Sequence, residues 1–259
     1  MMRRRPAEPE FNIEDWTPKT KLGKRVKAGE LASIKQLLER GEKILEPEIV
    51  DALLKGLETD YVFAGQAKGK FGGGKRRPVR QTQKKTAEGS RLSFTTIAVV
   101  GNKNGYVGVG IGKAGETMPS REKATKAARK NIIEVVRGCG SWECNCGETH
   151  SLPYAISGRC GSIRLKLMPA PKGTGLAVEG ELKKILKLAG YKDVWSELRG
   201  QASQKRNLVE ACMSALRAGT RMRISATQKK NMIVGDGIKR EEVRPIKAKA
   251  DKAKAGKTE

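Results

Sequence analysis

The sequence predicts an α+β protein of two domains. A β-hairpin is indicated by two β-rich segments, Leu92 to Val100 (LSFTTIAVV) and Tyr106 to Ile111 (YVGVGI), because the intervening GNKNG is typical of a turn. A second domain begins near Ser162 to Met168 (SIRLKLM), where apolar and basic residues alternate as in a half-buried strand. Amphipathic helical patterns follow both segments. The length of 259 residues suits one to two domains.

The chain before the hairpin is predicted to contain two short helices and a loop. Ser33 to Arg40 and Pro47 to Leu57 have apolar residues at helical spacing, and Gly41 ends the first helix. Ala64 to Ser90 is rich in glycine and in lysine or arginine and has no apolar periodicity, so we expect a basic loop. A solvated linker is the alternative, but the imbalance of charge favours contact with nucleic acid.

A helix is predicted after the hairpin, from an N-cap at Ser120 to about Val136. One face is apolar. The other face is basic and is expected to contact phosphate, since the segment has only two acids, Glu122 and Glu134. The apolar positions are Ala124, Ala127, Ala128, Ile132, Val135 and Val136, and the basic positions are Arg121, Lys123, Lys126, Arg129 and Lys130.

The second half is predicted to fold around three inward side chains, Ile163, Leu165 and Leu167. Before them, Gly138 to Arg159 is expected to be irregular, and after Thr220 the chain is a basic, partly disordered tail. Cys212 is assigned to the core. The remaining predicted elements are a short extended segment at Leu176 to Val178, a helix at Glu181 to Ala189 stopped by Gly190, a short strand at Asp193 to Trp195, and a helix at Gln204 to Ala218 capped by Ser203.

The charge of the chain indicates a polyanionic partner. Lysine and arginine number 53 against 28 aspartates and glutamates, which gives a net charge of +25. Nucleic acid is the expected partner, and because only 4% of residues are aromatic, phosphate contacts should outweigh base stacking. There is no apolar run long enough for a membrane helix, and MMRRRPAEPE lacks the apolar stretch of a signal peptide, so we expect a cytoplasmic protein without a membrane partner.

Motifs for enzyme chemistry are weak. Gly110, Gly112 and Gly115 spell G-x-G-x-x-G, but Gly108, Gly110 and Gly112 lie inside a predicted strand at a spacing of two, which favours close packing of a helix over dinucleotide binding. A Walker loop is missing, and the single histidine gives little scope for a catalytic triad. The expectation is a protein that is not an enzyme and has no small-molecule substrate.

A cysteine-rich segment is a candidate structural zinc site. Cys139, Cys144, Cys146 and His150 supply four zinc-type donors within twelve positions. Their spacing departs from the common knuckles in which two cysteines are separated by two residues, and Cys160 could replace one ligand. Free thiols remain the alternative. A catalytic zinc is disfavoured because no set of donors leaves an open position beside an acid.

Three ordered motifs resemble one family. GNKNGYVGVGIGK (from Gly101), GRCGSIRLKLMPAPKGTG (from Gly158) and LKLAG (from Leu186) are similar to small-subunit ribosomal protein five, called protein two in eukaryotes. The similarity extends from about Val62 to Ala218, and GRCGS followed by PAPKGTG indicates the archaeal type. In the same comparison, His150 also matches the eukaryotic form, which lacks the three cysteines, so packing is an alternative role for it.

The resemblance implies a domain similar to double-stranded-RNA-binding modules at residues 61–137 and a C-terminal α+β domain of the family's type at 161–219. The extension 1–60, the Cys-rich linker 138–160 and the tail 220–259 complete the chain. The family's RNA-approaching loop corresponds to Ala87 to Phe94, in which Gly89, Arg91 and Phe94 match the bacterial pattern and Ala87 and Glu88 depart from it.

Membership would imply a structural constituent of the small ribosomal subunit that binds its RNA. It would also imply roles in subunit assembly, decoding accuracy and the messenger RNA entry channel, with ribosomal proteins four and eight as neighbours. Basic residues that can neutralise phosphate, together with a glycine at the loop, make up the candidate RNA-binding set. The set is Lys75, Arg76, Arg77, Arg80, Lys84, Lys85, Gly89, Arg91, Lys103, Lys113, Arg121 and Lys172.

Two other functions are weighed against this one. A free double-stranded-RNA-binding protein would act away from the ribosome and bind any A-form duplex. A nucleotide-dependent enzyme would use PAPKGTG on phosphate, and its nucleotide binding would be lost on Lys172→Ala.

Overall fold

The structure is a computed structural model, and it describes residues 13, 16–31, 33–67, 76–144, 146–222 and 225. The chain divides into two compact units, one formed by the described residues up to 55 and the other by the described residues from 56 onward. The larger unit contains two β-sheets with helices packed on them, so the predicted α+β class is confirmed. The predicted tail, residues 220–259, is described only at residues 220–222 and 225.

Three short helices make up the described part of the first unit. They are α1 (Lys21–Lys27), α2 (Ile34–Arg40) and α3 (Glu48–Leu53). The Thr20 side chain caps α1 by accepting a hydrogen bond from the Gly23 N–H at 3.0 Å. The prediction of α2 is confirmed, with Gly41 in the left-handed conformation after it. The predicted helix to Leu57 was too long, because α3 ends at Leu53, and α1 was not predicted.

The first sheet of the larger unit is antiparallel throughout. Its strands are β1 (Glu58–Tyr61), β2 (Val79–Thr86), β3 (Gly89–Gly101), β4 (Tyr106–Ala114) and β5 (Ile132–Glu134). β3 is the longest strand and pairs with β4 along one edge and with β1 and β2 along the other. The predicted hairpin is therefore confirmed.

The prediction of a loop from Ala64 to Ser90 was wrong for its second half. Val79–Thr86 forms β2, which pairs with β3 from Thr96 to Gly89. The strand escaped prediction because every side chain after Val79 is exposed, so the residues do not alternate between apolar and polar. Residues 68–75, which include Lys75 and the glycine run at 72–74, lie outside the described residues.

Helix α4 (Thr117–Lys130) lies against the glycine-bearing face of β4. A Cβ atom added at Gly110 would lie less than 3.0 Å from the backbone nitrogen of Ala128, and Gly108 and Gly112 are equally close to the helix backbone. A Cβ atom is essentially never found that close to a backbone atom, so a side chain at these positions would clash with α4. The prediction that these glycines serve helix packing is confirmed.

Both predicted ends of α4 were wrong. Ser120 is not the N-cap, because the helix begins at Thr117 after Glu116, and the buried Ser120 hydroxyl instead lies 3.0 Å from the hydroxyl of Thr96. The helix stops at Lys130, not Val136, because Ile132–Glu134 pairs with β4 as strand β5. β-Branched isoleucines fit a strand better than a helix end.

The second sheet and its helices consist of β6 (Ile156–Cys160), β7 (Ile163–Pro169), β8 (Leu176–Ala177), α5 (Gly180–Ala189), β9 (Val194–Arg199) and α6 (Lys205–Arg221). The strand order in the sheet is β6-β7-β9-β8. Alternating burial in β7 and the left-handed Gly190 after α5 confirm the predicted strand and helix. β6 lies almost wholly within the segment predicted to be irregular, β9 is longer than predicted, and Gln204 takes the N-cap position assigned to Ser203.

One apolar core serves both sheets. Val99 and Val107 of the first sheet belong to the same cluster of buried side chains as Leu165 and Leu186 of the second. Cys212 of α6 is fully buried in this cluster, as predicted. No helix among the described residues combines the length and the apolar character needed to cross a membrane. The shared core fixes the positions of the groups that remain on the surface.

Candidate nucleic-acid interface and metal centre

The far ends of β2 and β3 form a two-stranded projection, here called the ribbon (residues 82–93). β4 pairs with β3 only from Phe94 onward, so the first five residues of β3 pair with β2 alone. At strand rise the ribbon extends roughly 17 Å from the three-stranded part. Its tip is a turn at Ala87 and Glu88, followed by Gly89 with φ +119°. A ribbon without a core of its own is available for binding.

Four predicted RNA-binding residues share one face at and below the ribbon, here called the basic face. Lys84 lies directly opposite Arg91, and Thr95 lies opposite both Arg80 and Lys113. None of the four basic side chains forms an ion pair with a described residue. Since like charges placed directly opposite destabilise a strand pair, this arrangement favours a polyanion as partner.

Other predicted residues lie around this face without belonging to it. Lys85 alternates to the opposite face of β2, and Gly89 supplies the positive φ that the tip requires. Arg76 pairs with Ala67 near the start of β2, and the Arg77 carbonyl accepts a hydrogen bond from Gly65 N–H at 2.9 Å. These contacts involve backbone atoms, so both arginine side chains remain candidates for binding phosphate.

Three of the predicted residues lie elsewhere. Lys103 sits in the turn at the opposite end of β3, roughly 40 Å from the tip at strand rise, and pairs with Glu58. Arg121 of α4 lies over the ring of Tyr61, 5.6 Å from its centroid. Lys172 forms an ion pair with Glu148 at 3.0 Å. The structure does not bring these three to the basic face.

The four predicted metal ligands converge. The ligand atoms of Cys139, Cys144, Cys146 and His150 all lie within 4.8 Å of one another. The sulfur atoms of Cys146 and Cys139 are 3.7 Å apart, and Cys144 Sγ lies 3.6 Å from His150 Nε2. A tetrahedral zinc ion with ordinary bond lengths requires about 3.8 Å between sulfurs and about 3.6 Å between sulfur and nitrogen. These two separations match those of a zinc site, and the remaining ones are within 4.8 Å.

A buried carboxylate orients the histidine. Asp193 Oδ2 lies 2.7 Å from His150 Nδ1, and both side chains are nearly inaccessible to solvent. A proton on Nδ1 that is donated to the carboxylate leaves the Nε2 lone pair directed at the cysteines. Carboxylate-histidine pairs of this kind commonly support metal-bound histidines. Asp193 was not predicted, since 43 residues separate it from His150 and no local pattern links them.

The thiols of the cluster differ in acidity. The backbone N–H of Lys172, followed by hydrogen bonds from neighbouring side chains, lowers the pKa of Cys144 to about 6. Burial, followed by hydrogen bonds with Cys146 and Cys144, raises the pKa of Cys139 to about 12. Three thiolates at this spacing would repel one another. A divalent cation would compensate that charge.

Asp193 also accepts hydrogen bonds from backbone amides of the PAPKGTG loop. Asp193 Oδ1 accepts hydrogen bonds from Gly173 N–H at 3.1 Å and from Gly175 N–H at 2.8 Å. These are the groups with which a glycine-rich loop would hold a phosphate. The alternative ligand Cys160 lies apart from the cluster, with its sulfur 3.4 Å from Glu210 Oε2. The cluster therefore consists of the four donors of one loop.

Comparison with known proteins assigns both sheets to one family. Residues 78–136 match the family model "Ribosomal protein S5, N-terminal domain", and residues 158–229 match "Ribosomal protein S5, C-terminal domain". A protein of Nanoarchaeum equitans named small ribosomal subunit protein uS5 is 48% identical over 213 residues, which cover 82% of this chain and 91% of the relative. The chain belongs to the ribosomal protein S5 family.

Other S5 relatives support the archaeal type. The uS5 protein of Methanocaldococcus jannaschii is 43% identical over 227 residues, covering 88% of this chain and 98% of its own. That of Sulfolobus acidocaldarius is 44% identical over 208 residues, covering 80% and 90%. The resemblance predicted from the three motifs is confirmed. The two matched segments include the basic face and most of the second sheet but not residues 139–150, so the metal-ligand cluster lies between them.

Proposed function

We propose that the chain is a structural, non-enzymatic constituent of the small ribosomal subunit in the cytoplasm. Membership of the S5 family supports this function, and the name of each relative just described assigns that relative to the small subunit. The observation that carries RNA binding is the basic face, where Lys84 and Arg91 oppose each other and neither forms an ion pair with a described residue. Ribosomal RNA supplies the phosphates that would neutralise these charges.

The basic face would position RNA without reading its sequence. Lysine and arginine contacts to phosphate release counterions and fix orientation. Between the charges, the hydroxyls of Thr82 and Ser93 lie 2.8 Å apart and can also bind the sugar-phosphate backbone. The ribbon would thus follow the shape of an RNA groove or junction.

More specific roles follow from the family resemblance. We propose contacts with messenger RNA at the entry channel and with ribosomal proteins four and eight, and contributions to subunit assembly and decoding accuracy. Every side chain of β2 after Val79 is exposed and no residue of α4 belongs to the shared core, so the ribbon and α4 offer two separate surfaces for these partners.

Neutralising the basic face should weaken RNA binding in a salt-dependent manner. For the triple variant Arg80→Gln, Lys84→Gln and Arg91→Gln, the negative slope of log K against log salt should become shallower by roughly 2 to 3, since each lost phosphate contact removes about 0.7 to 0.9. Filter binding to small-subunit RNA across a salt series measures the slope. Lys103→Gln is the matched control, because Lys103 is paired with Glu58 at the far end of β3. An unchanged slope in the triple variant would refute the assignment.

The free duplex-binding alternative is tested by sedimentation. On a sucrose gradient of native extract, the proposed function requires that the chain comigrate with small-subunit RNA and stay there through a moderate-salt wash. A chain that sediments mainly as free protein, with equal affinity for any A-form duplex, would support the alternative.

The nucleotide-enzyme alternative has little structural support. The glycines of β4 are packed against α4, Lys172 is paired with Glu148, and the amides of the PAPKGTG loop are bonded to Asp193. A phosphate would have to displace a buried carboxylate of the chain itself from those amides.

We also propose that Cys139, Cys144, Cys146 and His150 bind a structural zinc ion. Support comes from the convergence of the four donors within 4.8 Å, from two separations that match a tetrahedral ion, and from the Asp193 carboxylate behind His150. The ion would hold residues 139–150 in one conformation and would leave no open position for catalysis.

Thiol alkylation should distinguish the cysteines. With metal chelated, iodoacetamide at pH 7 should modify Cys144 before Cys139, because a pKa of about 6 makes Cys144 mostly thiolate whereas a pKa of about 12 keeps Cys139 protonated. Lowering the pH below 6 should slow the reaction of Cys144 as its thiolate is protonated. Peptide mass spectrometry measures both. Zinc should protect Cys144, and equal alkylation with and without zinc would contradict the proposed site.

A further inference from the structure

A turn between two of the clustered cysteines presents a tryptophan to solvent. The Cys144 N–H donates to the Ser141 carbonyl at 3.3 Å, which closes a turn with Trp142 and Glu143 at its corner. Trp142 is 91% exposed, more than any other large hydrophobic side chain of the described residues. Exposed indoles of this kind are typical anchors of protein interfaces.

The backbone around the turn is held in place. Gly138 and Ser151 exchange hydrogen bonds at 2.8 and 2.9 Å, and Gly140 N–H donates to the Leu152 carbonyl at 3.1 Å. Leu152 belongs to the shared core. The turn is therefore attached to the rigid part of the molecule by bonds that do not require a metal, and Trp142 is exposed on an ordered support.

The charge at the turn is opposite to that of the chain. Residues 138–158 contain no lysine or arginine, and this is the longest such stretch in a sequence of net charge +25. Glu143 forms no ion pair with a described residue, while Glu148 is paired with Lys172. A free carboxylate beside an indole repels phosphate and attracts a cation.

We propose that this turn docks a lysine- or arginine-bearing segment of a neighbouring protein in the assembled subunit. A basic side chain of the partner would lie over the Trp142 indole and pair with the Glu143 carboxylate. Charge complementarity carries this choice of partner, because the Glu143 carboxylate would repel phosphate and Lys172, a cation beside the cluster, is already paired with Glu148.

Photo-crosslinking tests the proposal on intact small subunits. The full chain carrying Trp142→p-benzoylphenylalanine is incorporated into subunits, irradiated and mapped by mass spectrometry. The expected crosslink joins position 142 to a peptide of another protein that contains lysine or arginine. A crosslink to RNA, to residues 243–259 of the chain itself or to a peptide without basic residues would overturn the proposal.

Charge reversal provides a second measurement. Adding Glu143→Lys should abolish the crosslink if the partner is basic, whereas a phosphate partner would give a stronger one. Hydroxyl-radical oxidation of Trp142 in the unmodified chain should be lost when the free protein enters the subunit. Equal oxidation in both states would show that nothing covers the turn. Because both residues are exposed, the variants are expected to fold.

Discussion

Replacing Gly110 with alanine is expected to lower the free energy of unfolding by roughly 3 kcal/mol, at the upper end of the usual range for overpacking. The added Cβ would lie less than 3.0 Å from the backbone of α4 at both Ala128 and Ala124. Backbone atoms cannot rotate away as a side chain can, so the helix must move off the sheet. Urea denaturation followed by circular dichroism measures the change.

Gly115→Ala is the matched control for this substitution. Gly115 is exposed, has no positive φ, and a Cβ added there would meet nothing within 4 Å. Its replacement should be neutral or stabilise the chain by about 0.4 to 1 kcal/mol through the unfolded state. If the two variants were equally stable, close packing of the helix would not be the reason for the glycines in β4.

Substituting Cys144 by serine should remove the metal from the proposed zinc site. With zinc at 100 to 1,000 times its dissociation constant, the lost binding lowers the free energy of unfolding by roughly 3 to 4 kcal/mol. Cys144 is the suitable position because it is partly exposed, whereas Cys139 is buried and its replacement would also disturb packing. Elemental analysis and thermal denaturation with and without chelator provide the two measurements.

Cys160→Ser is the control for the metal experiment. Its sulfur faces Glu210, away from the four donors, so the variant should keep one zinc per chain and the unfolding temperature of the unmodified protein. A wild-type chain that contains no zinc after purification in its presence would exclude the site. Retention of zinc by Cys144→Ser would show that the four-donor arrangement is wrong.

Elements with one buried face could be predicted from the sequence. The alternation of Ile163, Leu165 and Leu167 and the helical spacing in α5 and α6 reflect burial against the shared core, and the structure has these elements where the patterns indicate them. The glycines at a spacing of two in β4 could also be interpreted from the sequence alone. A strand face without side chains indicates that another backbone, here that of α4, packs closely against it.

Elements whose partners are distant in sequence could not be predicted in this way. β2 is exposed on both faces and exists through its pairing with β3, so its own residues give no periodic signal. Likewise the four metal ligands were visible as neighbours in the chain, but Asp193 joins them only through the fold. The ion pair of Lys172 with Glu148 was missed for the same reason.

In the ribbon, the residues that would bind RNA are different from the residues that stabilise the fold. No buried core residue lies between positions 82 and 93, so sequence changes there alter what the chain binds without altering whether it folds. Binding surfaces of this kind can diverge between lineages at their own rate. The ribbon can therefore keep pace with changes in its RNA while the sheet and helix beneath it stay constant.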